Sequence, residues 1–277
     1  MNIPIGFSPC PNDTFIFDAL VNKKIDTEGI HFSPVLEDVQ TLNEWAIQGK
    51  LPVSKISYGV LPLVIAQYKV LNSGSALGNG VGPLLIAKNK VSDAELSVKT
   101  IAIPGENTTA HLLFSLAYPQ HKNKIYLRYD QIEDYVLSGK GPGVIIHENR
   151  FTYAEKGLHK IIDLGDFWEQ QIKAPIPLGG IVISKKTDRS TQIKIDRLIR
   201  KSIELAYANW PQLNDYIRSH SQEMSEEVMR KHIELYVNDY SKNLGLTGHK
   251  AVLRLMDVYG QLNNISLNRE GIFVEEK

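Results

Sequence analysis

Cysteine is nearly absent from this chain, with Cys10 the only one in 277 residues. No internal disulfide can form, so oxidative stapling has no part in the fold and the setting implied is reducing and cytoplasmic. A surplus of charge is missing too. Lys+Arg and Asp+Glu each total 31, which argues against a broad nucleic-acid or acidic-membrane surface, because both need a basic excess. No apolar run approaches the roughly 18 residues that suggest a membrane span. The opening MNIPIGFSPCPND lacks both the basic start and the long apolar core of a secretion signal. Familiar cofactor signatures are also missing. HENRF is not His-Glu-x-x-His, no Cys/His cluster has zinc spacing, and there is no Walker A loop. GNGVGP and GKGPGV lack the GxGxxG order, and no G-x-S-x-G elbow is present. The expectation is therefore no metal, no cofactor, and neither nucleic acid nor membrane as partner. Oligomeric state leaves no mark on the sequence.

What is present is an ordinary globular balance, 43% hydrophobic and 22% charged. Over the first 190 residues, short apolar runs alternate with helical patterns, which predicts α/β units. NIPIGF, HFSPVLE, LPVSKIS, VKTIAIP, KIYLRY and GPGVIIHENR read as strands. DTFIFDAL, VQTLNEWAIQGK, GVLPLVIAQY, GENTTAHLLFSLAY and FTYAEKGL read as helices. From Ser190 the pattern is helical, with Ile195, Leu198, Ile199, Ser202, Ile203 and Ala206 on one buried face. Further helices are predicted to start near Ser225 and near Thr247.

Two segments echo each other, GVGPLLIAKNK at 80–90 and IPLGGIVISKKT at 176–187. Each runs from Gly/Pro through an apolar strand to a basic exit, as a chain crossing between lobes and returning requires. The prediction is a discontinuous first lobe, 1–85 plus 187–277, with an inserted second lobe, 86–186. Two unrelated strands of one sheet would give the same pattern.

Four strand ends carry small hydroxyl or amide residues just before a helix: Ser8 to Asn12, Ser54 to Ser57, Asn107 to Thr109, and His147 to Asn149. In α/β folds ligands bind beyond the carboxyl ends of strands, where helix N-termini offer free N–H groups. Each turn alone is also an ordinary helix cap. Four in one chain point to an interlobe cleft for a small carboxylate. Among eight histidines, His147 follows the apolar run GVII and would emerge at a strand's end, where a neutral imidazole can act as a general base. Strand alternation turns its neighbour Glu148 to the opposite face. His111 reads as a packed or surface side chain. His31, His121, His159, His220, His232 and His249 lie in polar stretches and read as exposed.

Cys10 sits between Pro9 and Pro11, which fix φ and stiffen the turn. A nucleophilic thiol and a rigid piece of pocket wall are both open to it. No basic partner is close in sequence to lower its pKa, so the wall is the preferred reading, with Asn12 or Asp13 capping the following helix.

GFSPCPNDTF, SKISYG, GENTTAHLL and VIIHE, in that order, resemble the 1,4-dihydroxy-6-naphthoate synthase family of the futalosine route to menaquinone, over essentially the whole chain. SPCPNDTF is the most distinctive of the four. The resemblance implies a two-lobed α/β fold like a type II periplasmic binding protein. It also implies a cofactor-free lyase that converts cyclic dehypoxanthine futalosine to 1,4-dihydroxy-6-naphthoate and dihydroxyacetone. Carried over by motif, the base falls on His147, and substrate contacts fall on Lys55, Ile56, Ser57, Thr109 and Ala110. Thr108, Cys10 and Asn12 join them by location. Competing readings are the sibling chorismate dehydratase, a non-catalytic small-anion-binding protein, and the ligand-sensing domain of a transcription regulator.

Overall fold

A computed structural model describes residues 1–221 and 225–275, and its strands fall into two sheets. The first sheet contains β1 (Asn2–Phe7), β2 (His31–Leu36), β3 (Val53–Ser57), β4 (Tyr68–Val70), β5 (Ala76–Gly78) and β11 (Ile176–Ser184). Its order is β2-β1-β3-β11-β4, with β5 also on β11. The second contains β6 (Leu84–Ala87), β7 (Ile101–Ile103), β8 (Lys124–Tyr126), β9 (Gly143–Ile145) and β10 (His159–Asp163), in the order β10-β6-β9-β7-β8.

β1 pairs in parallel with β2 and β3, and β7 in parallel with β8 and β9. Each of these parallel neighbours is reached through a helix-containing crossover, as parallel pairing demands. β11 and β6 run antiparallel to their neighbours. Both face the chain crossings: β6 is the first strand of the second sheet, and β11 is the return to the first.

The crossings differ from the sequence expectation in one respect. β11, assigned there to the segment 86–186, hydrogen-bonds wholly within the first sheet. Its apolar run was legible, but its partners, β3 from far upstream included, were not. The two crossings touch where Gly82 meets Gly165. A Cβ on Gly82 would lie 2.2 Å from the Gly165 Cα, a contact only glycine permits.

Helix Pro11–Val21 begins two residues earlier than predicted. Cys10 is its N-cap in an extended conformation without a side-chain cap, and Pro11 takes the first helical position. Asn12 and Asp13 therefore sit in the first turn and are not caps. Asp13 instead accepts hydrogen bonds from the Ser8 N–H (3.1 Å) and Ser8 Oγ (2.8 Å), tying strand end to helix start. Helix Arg189–Ala208 buries Ile195, Leu198, Ile199, Ser202 and Ile203, the face its periodicity predicted. Helix Glu226–Tyr236 is capped by Ser225. FTYAEKGL is helical only in part, within Asn149–Thr152. β4, β5 and β10 were not anticipated from the sequence.

One buried cluster packs Phe7, Phe15, Phe17 and Ile199 beneath the first sheet. A larger one runs from Tyr58, Val60 and Tyr68 across to Ile101, Leu113 and Trp168, so apolar packing is continuous between the two sheets. Helix Gly245–Asn263 contributes Val252, Leu255 and Met256 to that bridge.

Candidate active site

The strand-end turns converge on one cavity, lined among others by Ser8, Asn12, Lys55, Ser57, Thr109 and His147. β3 delivers Lys55, Ile56 and Ser57, all buried. Helix Thr109–Ala117 starts across from them, with Thr108 as its N-cap accepting the His111 N–H at 3.2 Å. The amide N–H groups of Thr109 and Ala110 have no carbonyl four residues back inside the helix. Both residues line the cavity, so the positive end of the helix faces it.

Hydrogen bonds of two side chains, Asn43 and Thr109, lock these turns together. Asn43 accepts the Ser57 N–H (2.8 Å) and donates to Ser57 Oγ (3.0 Å) and to the Asn107 carbonyl (2.9 Å). With its Oγ already accepting, Ser57 keeps its O–H for a ligand. Thr109 Oγ1 donates to the Leu178 carbonyl (2.6 Å) and accepts the Gly59 N–H (2.9 Å). Gly59 is required there: a Cβ would lie 2.7 Å from the Thr108 carbonyl.

Lys55 is not a free cation. Its Nζ meets Asp13 Oδ1 at 3.1 Å and donates to the Gly74 carbonyl at 3.0 Å, with both ionic side chains almost fully buried. The Asp13 carboxylate and the Lys55 ammonium neutralise each other, leaving the Ser57 hydroxyl and helix N–H groups as the cavity's anion-binding edge.

At another part of the cavity wall stand two parallel imidazoles, His147 and His232, with ring centroids 5.9 Å apart and planes within 9°. Tyr129 packs on His147 at 4.9 Å, and Tyr236 on His232 at 4.7 Å. Burial holds the His147 pKa below its ordinary 6.5, opposed by the Glu148 and Asp13 carboxylates. Burial, with His147 adding, pushes His232 well below the same value. Both imidazoles are neutral at pH 7. His147 has φ +58°, a left-handed conformation unusual for a side-chain-bearing residue and characteristic of functional positions.

That backbone turn corrects the placement of Glu148. β9 ends at Ile145, so alternation no longer applies at His147. Glu148, Cys10 and His147 offer ligand atoms that all lie within 4.8 Å of one another. Cys10 itself does not line the cavity; it is buried behind His147. Burial first, then the Glu148 charge, raises its thiol pKa well above 9.0, so it is a neutral thiol.

His232 is the residue that sequence reading missed outright. It was read as exposed but has no solvent exposure, and its Nε2 lies 3.0 Å from Asn12 Oδ1. A signal was available: Met229, His232, Ile233 and Tyr236 share the buried face of helix Glu226–Tyr236 at helical spacing. His121 and His249 are also less exposed than expected. His121 Nε2 lies 3.1 Å from the carbonyls of Lys99 and Asn123, and His249 stacks on Phe273 at 3.8 Å.

A family model described as menaquinone biosynthesis matches residues 3–261. The chain belongs to this family. A relative named 1,4-dihydroxy-6-naphthoate synthase, from Thermus thermophilus, is 44% identical over 252 residues, covering 91% of each chain. A crystal structure of an Archaeoglobus fulgidus protein superposes with TM-score 0.90 at 32% identity, covering 95% of this chain and 98% of that one. A Candida albicans protein described as having the generic periplasmic binding protein fold superposes at TM-score 0.69 with 13% identity, covering 98% and 93%. That likeness concerns architecture alone. This chain thus has a binding-protein-like fold. No helix among the described residues is long and apolar enough to cross a membrane.

Proposed function

We propose that this chain converts cyclic dehypoxanthine futalosine to 1,4-dihydroxy-6-naphthoate with release of dihydroxyacetone, as a cofactor-independent carbon–carbon lyase. The observation that carries the reading is the pairing, in one cavity, of a neutral imidazole with an anion-binding edge. The substrate's aromatic carboxylate accepts from the Ser57 hydroxyl and the Thr109 and Ala110 N–H groups, charge-assisted bonds that fix its orientation. His147 then removes a proton from the reacting portion. The C–C bond breaks as the ring system gains aromaticity. Burial serves this role, because a base must be unprotonated to act and desolvation holds the His147 pKa below 6.5.

The two sheets with their helices serve as lobes that close over the substrate. The first is built on β1 to β5 and β11, the second on β6 to β10. Closure excludes water and aligns the base with the reacting atom. Mostly apolar walls such as Val39, Ile56, Val81 and Leu178 suit the flat ring system.

Incubation with cyclic dehypoxanthine futalosine should yield the naphthoate chromophore. His147→Ala should lower turnover by roughly 10²–10⁴-fold while substrate still binds by calorimetry. A variant with near-normal turnover would remove His147 as the base. Tight binding with no product in the unaltered protein would favour a non-catalytic anion-binding protein.

A further inference from the structure

We propose that Cys10, His147, Glu148 and His232 form a site for one thiophilic divalent cation of the Zn²⁺ class, and that its occupancy switches the active site off. The four donors come from three distant segments, which is why no zinc spacing is visible in the sequence. Cys10, His147 and Glu148 each place a ligand atom within 4.8 Å of the others.

The fourth donor rests on an independent observation. Asn12 Nδ2 donates to Asp13 Oδ1 at 2.9 Å, so Asn12 presents its Oδ1 to His232 Nε2, 3.0 Å away. An amide oxygen only accepts, so Nε2 carries the ring proton and Nδ1 carries the lone pair. That nitrogen lies 3.6 Å from Glu148 Oε2. Both atoms are buried without a hydrogen-bond partner. Two acceptors facing each other in a buried site repel unless a proton or a metal cation lies between them. The gap is too wide for a direct hydrogen bond. It is close to the edge of a tetrahedral zinc site, about 3.4 Å for Zn–N and Zn–O bonds near 2.1 Å.

A sulfur, nitrogen, nitrogen, oxygen donor set suits zinc or cobalt and not magnesium or calcium, which prefer oxygen alone. The Asn12 bond to the far nitrogen of His232 is the outer-shell contact that orients ligating histidines. Binding involves no redox change. The Cys10 S–H bond breaks, its electron pair forms the sulfur–metal bond, and the proton leaves to solvent. His147 gives its lone pair to the cation and can no longer accept a proton from substrate. This last consequence rests on the assignment of His147 as base; the site itself does not.

The test is titration of the full chain with Co²⁺ under anaerobic conditions. The expected result is one Co²⁺ per chain, a near-ultraviolet thiolate-to-cobalt charge-transfer band, and release of one proton per cation. Cys10→Ser should abolish the band, and Asn12→Ala should weaken Co²⁺ binding by roughly 10–100-fold. No charge-transfer band in the unaltered protein, or one that survives in Cys10→Ser, overturns the site whatever the variants' folding. Zn²⁺ at one equivalent should also stop naphthoate formation, and a chelator should restore it. Binding without loss of turnover overturns the switch. A protein that never makes naphthoate but binds Co²⁺ as described keeps the site and refutes only the proposed reaction.

Discussion

Asn43 offers the sharpest test of how the two sheets assemble one site. It lies on helix Val39–Ile47 beside the first sheet and is fully buried. Its side chain makes two bonds to Ser57 and one to the Asn107 carbonyl, which follows β7 of the second sheet. Asn43→Ala removes all three and strands the buried Ser57 N–H. At about 1 kcal/mol per bond, the loss is about 3 kcal/mol. For a chain of this size each kcal/mol shifts the melting temperature by roughly 2–4 °C, so calorimetry should record a drop of roughly 6–12 °C. Freed from Asn43, the Ser57 hydroxyl loses its orientation, and KM should rise more than kcat falls. Asn43→Asp, which restores the acceptor for Ser57 N–H but neither donor, should fall between the two. A melting temperature within 2 °C of the parent, with KM unchanged, would refute the idea that this amide clamps the site.

Three further outcomes follow from the same geometry. Ser57→Ala should weaken substrate binding by roughly 1.5–3 kcal/mol, the value of a bond to a charged group; an unchanged Kd in calorimetry removes Ser57 from the substrate's contacts. Gly59→Ala drives a Cβ to 2.7 Å from the Thr108 backbone, forcing the two turns apart, and should raise KM at least tenfold; normal kinetics would show that the turns can separate freely. Acid should destabilise the fold through the buried imidazoles. His147 and His232 have folded pKa values below 6.5, so below that pH the unfolded chain binds more protons. Stability is full above about pH 6.5 and falls as pH drops, by up to about 1.4 kcal/mol per pH unit for each histidine. Urea midpoints at pH 7.5 and 5.5 measure this, and His232→Phe should flatten the slope.

The turns were legible because they obey local rules. Small polar residues after an apolar run mark a strand end before a helix wherever they occur, and GFSPCPNDTF, SKISYG and GENTTAHLL all fell at such places. His147 was visible for the same reason, as the first polar residue after GVII. Glu148 was misplaced because alternation assumes a continuing strand, and the left-handed backbone at His147 ends it. Local reading also put helix capping on Asn12 and Asp13, when tertiary contacts use Asp13 to hold Ser8 and Lys55.

The sequence by itself determined the alternation of strands and helices, the polar strand ends and the stiff proline-flanked turn, because each is set by steric and solvation preferences within a few residues. Only the tertiary structure decided which strands pair, that β11 belongs to the first sheet, and that His232 stands beside His147 with 84 residues between them. Those outcomes depend on contacts between distant segments, whose geometry is fixed by packing one buried core. The donor edge at Ser57, Thr109 and Ala110, the neutral His147 imidazole and the unpartnered atoms of Glu148 and His232 come together only once that core has closed.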